Sequence, residues 1–132
     1  MSFNAQSAGS SKSVLLLEET YTLPSSATTE YSSVIDIQPD LRNNNRYVTF
    51  AFNASAVSGT NLDIALYGSD DSSGTSKFLL KDAVVPDITA TGWTAKPIDL
   101  NLYPASYYFI AWTSDVDESA NTIDVKVFVP TV

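Results

Sequence analysis

The sequence predicts an all-β fold: an antiparallel two-sheet β-sandwich, jelly-roll-like, behind a flexible N-terminal arm. Three observations predict it. Seven or eight short apolar runs are separated by clusters of Gly, Pro, Asn, Asp and Ser, the punctuation of sandwiches and barrels. Several runs alternate apolar and polar positions, the period of a half-buried strand. No sustained 3.6-residue period and no internal repeat interrupts the pattern.

The elements follow in order. Residues 1–13 are rich in Ser, Ala, Asn, Gln and Gly, with Phe3 as their only large apolar group after Met1. Such a segment buries too little surface to offset its ordering entropy, so it is expected to be a mobile arm, anchored through Phe3 when it docks on a neighbour. Residues 14–132 form the single sandwich domain. Its first run is Val14–Leu23, with a break expected near Glu18-Glu19 and Pro24 closing it. In Tyr31–Ile37, Ile35 and Ile37 share a face. Tyr47–Asn53 sets Val48, Phe50 and Phe52 against Thr49 and Ala51, and Leu62, Ile64 and Leu66 alternate with Asp63 and Ala65. A polar loop, Gly68 to Ser76, leads to Phe78-Leu79-Leu80. Pro86 to Gly92 reads as a connection, and Ile98, Leu100 and Leu102 as an alternating run. Tyr107–Thr113 is apolar on both faces, which predicts a central strand covered on both sides, one of them by a neighbouring subunit. Ile123, Val125, Val127 and Val129 close the fold before Pro130. Two sheets packed face to face satisfy this pattern.

The chain has 132 residues, enough for one domain with its own core. Fifteen Asp and Glu stand against seven Lys and Arg, a formal net charge of −8. That balance repels phosphate backbones and anionic lipid, so nucleic acid and membrane are not expected partners. The longest early apolar run, Val14 to Leu17, is far short of the ~20 residues that span a bilayer. No secretory signal is read at the start, so with Met1 as the natural start the protein is expected to be made in the cytoplasm.

The residue inventory excludes most chemistry. Cysteine and histidine are absent, so Ser–His–Asp and Cys–His catalysis cannot be built. Five lysines leave a Ser–Lys nucleophile formally open, but no S-x-x-K motif occurs, and Ser10-Ser11-Lys12 lies in the arm. No carboxylate pair stands out as a glycosidase site. Asp70-Asp71 and Asp115-x-Asp117-Glu118 offer oxygen ligands, yet their spacing is not that of a calcium-binding EF-hand loop, and they read as solvated turns. The expectation is therefore a protein without enzyme activity, cofactor or metal. Tyr103, Tyr107, Tyr108 and Trp112 serve either as core and interface rings or as sugar-stacking platforms.

The order Asn61-Leu62-Asp63-Ile64-Ala65-Leu66-Tyr67-Gly68-Ser69-Asp70-Asp71, Lys77-Phe78-Leu79-Leu80, Ala105-Ser106-Tyr107-Tyr108-Phe109-Ile110-Ala111-Trp112 and Thr122-Ile123-Asp124-Val125-Lys126-Val127 resembles the small jelly-roll decoration, or cement, proteins of tailed bacteriophage capsids. The likeness spans residues 46–129. It implies a virion protein on the outside of a phage head, a homotrimer that clamps the major capsid protein. Phe3, Val14, Leu15, Leu16 and Leu17 are then expected to dock the arm, and Tyr107, Tyr108 and Trp112 to pack subunits. The same pattern is also similar to secreted carbohydrate-binding and pre-peptidase sandwich modules, although Ala105-Ser106-Tyr107 replaces their Gly-Thr-Tyr. A carbohydrate-binding or receptor-binding module is the alternative reading.

Overall fold

A computed structural model of the protein describes residues 13–26, 28–37, 47–58, 62–82, 88 and 92–130. Eight strands form two four-stranded antiparallel sheets packed face to face, as the alternation predicts. The front sheet has the order β1 (Ser13–Thr22), β8 (Thr122–Pro130), β3 (Tyr47–Ala54), β6 (Gly92–Asp99). The back sheet has the order β2 (Thr29–Tyr31), β7 (Tyr107–Thr113), β4 (Asp63–Ser69), β5 (Lys77–Lys81). No helix among the described residues is long and apolar enough to cross a membrane.

The core lies between the sheets and follows the period-2 rule. Val48, Phe50, Phe52, Val125 and Val127 enter from the front; Ile64, Leu66, Tyr108, Ile110 and Trp112 enter from behind. At about 25 cal/mol per Å² of apolar surface removed from water, this interior dominates the stability of the domain.

Three departures from the sequence reading have local causes. The first strand is not broken at Glu18-Glu19. Instead a bulge between Leu15 and Leu17 inserts Leu16, which packs on the core, and the pairing with β8 then runs unbroken to Thr22. The second strand is short and sits earlier, at Thr29–Tyr31. Ser32 ends it: its buried hydroxyl accepts the Ile110 N–H at 3.0 Å, taking a bond the ladder would otherwise make. Ile35 returns as an isolated bridge to Tyr108. Third, the Ile98–Leu102 alternation is cut by Asp99, whose carboxylate accepts the Asn101 N–H at 3.0 Å and starts a 3-10 turn over Leu100–Leu102. Leu100 is thereby buried and Leu102 is turned out to solvent.

The outermost strands among the described residues are β1 and β6 in front and β2 and β5 behind. β6 carries Lys96 and Pro97, β1 carries Glu18 and Glu19 beside its bulge, β5 begins and ends in lysine, and β2 is three residues long.

Candidate binding surfaces

The register of the front sheet fixes what its outer face presents. Leu15, Phe128, Thr49 and Pro97 form one row across its four strands. Two residues further along, Glu18, Lys126, Ala51 and Ala95 form a second row, and Thr20, Asp124, Asn53 and Trp93 a third. The first row lies at the end where Ser13, the first described residue, pairs with Pro130; this is the arm end, named for the arm expected over residues 1–13. Tyr47 pairs with Asp99 at the same end, and the 3-10 turn carries Leu102 there. Leu15 is 52% exposed, Tyr47 53% and Leu102 68%. This arm end thus holds three of the chain's exposed large hydrophobic side chains, beside a half-buried Phe128.

The third row differs in character. Trp93 is 51% exposed, and Lys126 holds its ammonium 5.1 Å from the ring centre. Glu18 lies 3.6 Å from that ammonium, and Thr20 donates to Asp124 at 2.6 Å. Glu18, Glu19, Thr20, Trp93, Asp124 and Lys126 line an open cleft of about 490 Å³. The posture of Trp93 is set by its neighbour: Gly92 has φ +111°, which side-chain-bearing residues avoid, and its N–H is held by Asn53 Oδ1 at 3.1 Å. Loops beyond this end are tied by Glu118. Its buried carboxylate accepts the Ser58 N–H at 2.9 Å and the Asn121 side-chain amide at 2.7 Å, and its own N–H bonds Pro24 O.

On the back sheet the part of the outer face around Phe109 is covered by the chain itself, while Leu79 and Tyr31 stay exposed. Phe109 is buried there because Gly74 of the polar loop closes on it and the Lys77 ammonium lies 4.8 Å from its ring. That ammonium also lies 4.6 Å from the Tyr31 ring and donates to Gly74 O at 2.9 Å. Tyr31 meets Tyr67 edge to face at 5.4 Å. Burial pushes the Tyr31 phenol above its ordinary value, and the neighbouring Tyr67 adds to the effect. Tyr21 is raised in the same direction, by burial and then by its hydrogen bond to Glu19.

These positions sort the residues that the sequence singled out. Leu15 faces solvent at the arm end, Leu16 packs on the core and Leu17 is buried within it. Val14 pairs with Val129 in the β1–β8 ladder, and Phe3 lies outside the described residues. Tyr107 is half-buried on the outer face of β7. Tyr108 and Trp112 point inward and are spent on this chain's own core, and Tyr108 bonds Tyr103 O at 2.7 Å. The cover on the outer face of β7 comes from the 70–76 loop and Lys77 where the sequence suggested a neighbouring subunit. Trp93 was not singled out. Its only sequence signal is a Trp next to Gly in a stretch of small and polar residues, Thr91 to Lys96.

No protein-family model matches the sequence, and no curated protein matches it. Among solved structures, the chain is similar to one from Bacillus endospore appendages, described as a family of disulfide-linked pili, with 10% identity, a TM-score of 0.44, and coverage of 100% of this chain and 97% of that one. It is similar to the cleaved adhesin domain of Lys-gingipain from Porphyromonas gingivalis, with 18% identity, a TM-score of 0.43, and coverage of 79% and 63%. It is also similar to a chain of the nora virus structure, with 12% identity, a TM-score of 0.42, and coverage of 90% and 55%. The chain thus spans less than two thirds of the length of the last two.

Proposed function

We propose that this protein is a non-enzymatic virion structural protein, a capsid decoration or cement subunit that binds and stabilises the outer surface of a phage head. The observation that carries the reading is the arm end of the front sheet. Leu15, Tyr47 and Leu102 stand exposed there, where the arm emerges. Exposed apolar groups that gather at one end of a rigid scaffold favour burial against another protein. An attachment face needs roughly 800 Å² per partner, and a trimer multiplies weak contacts through effective concentration. The partner in this reading is the major capsid protein, with the arm as a tether and Phe3 as its anchor.

Two charged substitutions test it. Leu15→Asp with Leu102→Asp should lower co-sedimentation with assembled heads at least about tenfold, since each desolvated charge costs more than 1.4 kcal/mol. Both side chains are exposed, so the melting temperature should hold. Unchanged attachment would remove the arm end from the function. Removing residues 1–12 should likewise leave the domain folded while loosening its grip on the head. Native mass spectrometry of the free protein reads the trimer directly, and a monomer at micromolar concentration would sink that part.

A further inference from the structure

The third row of the front sheet lies four residues from the first along β8, roughly 14 Å away at ~3.4 Å per residue. It is a separate surface with its own chemistry. Trp93 keeps about half of its surface open even with Lys126 beside it, and it forms one side of the cleft. The rest of the lining is mostly polar, Glu18, Glu19, Thr20, Asp124 and Lys126 beside Val125.

Such a site asks for a ligand with one flat apolar face and a rim of hydroxyls. An indole ring offers dispersion and C–H contact to the first. Carboxylate and ammonium groups offer charge-assisted hydrogen bonds to the second. Thr20 engages one oxygen of Asp124, and no hydrogen bond to the other is seen among the described residues, so it can accept from a ligand. Charge narrows the class. Two carboxylates, Glu18 and Asp124, face one ammonium, Lys126, while Glu19 turns its carboxylate to Tyr21 and Ser33, so an anionic ligand is repelled. A ligand ammonium is disfavoured for another reason: the place between Glu18 and the Trp93 ring is already taken by Lys126. A purely aliphatic partner would leave these charges buried and unpaired.

We infer that the Trp93 cleft is a carbohydrate-binding subsite for a neutral sugar ring, stacked on the part of the indole that Lys126 leaves exposed and hydrogen-bonded by Asp124, Glu18 and Lys126. The site is preformed. Gly92 and Asn53 fix the start of β6, and Glu118 braces the loops at the same end, so little ordering is needed on binding. It is independent of attachment at the arm end, and either reading survives the failure of the other.

The experiment uses the full chain and its two tryptophans as reporters. Trp112 is buried and Trp93 is not, so their indole N–H resonances and emission are distinguishable. Neutral tetrasaccharides built from glucose, galactose, mannose or N-acetylglucosamine are titrated in turn, with sialyllactose and chitosan oligomers as charged counterparts. At least one neutral sugar should shift the Trp93 signal saturably and leave that of Trp112 in place. Trp93→Ala should abolish binding, and Asp124→Asn, which turns a charge-assisted hydrogen bond into a neutral one, should weaken it about tenfold or less. Circular dichroism checks that both variants stay folded. No saturable shift with any neutral sugar, binding that survives Trp93→Ala, or a response confined to the charged probes would overturn the inference.

Discussion

Glu118 is a carboxylate with no exposed surface, and it earns its place by satisfying donors from two other positions, Ser58 and Asn121. Its replacement by Ala should leave those groups unpaired and cost about 3 kcal/mol, read as a shift of the denaturation midpoint without a change in slope. Gly68 offers a second test at this scale. A methyl group there would lie 2.7 Å from Ala105 Cβ, 2.8 Å from the Phe78 ring and 2.9 Å from Leu80 Cδ1, so Gly68→Ala should cost about 2 kcal/mol in the same assay. Trp112 is the largest core side chain, and its buried Nε1–H has no hydrogen-bond partner among the described residues. The sequence left open whether it belonged to core or interface. The alternation in Tyr107–Thr113 separates Tyr108, Ile110 and Trp112 from Tyr107, Phe109 and Ala111, but both sets are apolar, so nothing local says which faces inward. The packing against Tyr21, with ring centres 4.9 Å apart, decides it.

Among the elements, strands with clear alternation were legible from sequence, and β3, β4 and β8 lie where the period puts them. β6 was legible only at its end. As an edge strand it buries little beyond Ile98, so no apolar period announces it and Trp93 passes as part of a connection. β2 was misplaced because a serine side chain replaces a ladder bond, which no propensity encodes. The loop from Asp70 to Ser76 is held by Asp71, which accepts from Thr75 N–H at 3.0 Å and from Ser69 Oγ at 3.2 Å. The Thr75 backbone bond is the main cause that holds this carboxyl below its ordinary value. A depressed carboxylate lends its support above the unfolded value and withdraws it as pH falls through the folded one. The protection of the Thr75 amide, its NMR exchange rate relative to the intrinsic rate at the same pH, should therefore be high near neutrality and fall below about pH 4. In Asp71→Ala it should be low throughout, and a wild-type protection that does not change with pH would refute the assignment.

For the whole molecule, the division of labour runs along one sheet. The arm end gathers greasy groups, while the far end combines one indole with charged side chains and is braced by Glu118. A body of this kind has a proximal side and a distal side, and the two can be tested apart. Substitutions at Leu15 and Leu102 should leave sugar titrations untouched, and Trp93→Ala should leave co-sedimentation with heads untouched. Loss of both functions in either variant would show that the ends are not independent.

The four outer strands carry a consequence for crowding. Strand addition is a route by which sandwiches run on into fibrils, and it needs a long, regular margin with free backbone donors. Here proline removes a donor from β6, lysines terminate β5, β2 is too short to template a neighbour, and β1 is kinked and acidic. Replacing Lys96 and Pro97 by Thr should open that margin and shorten the lag of thioflavin-positive fibre growth at millimolar protein. With these margins blunted, the native chain is expected to resist sideways polymerisation, and a lag as short as that of the Thr variant would refute this.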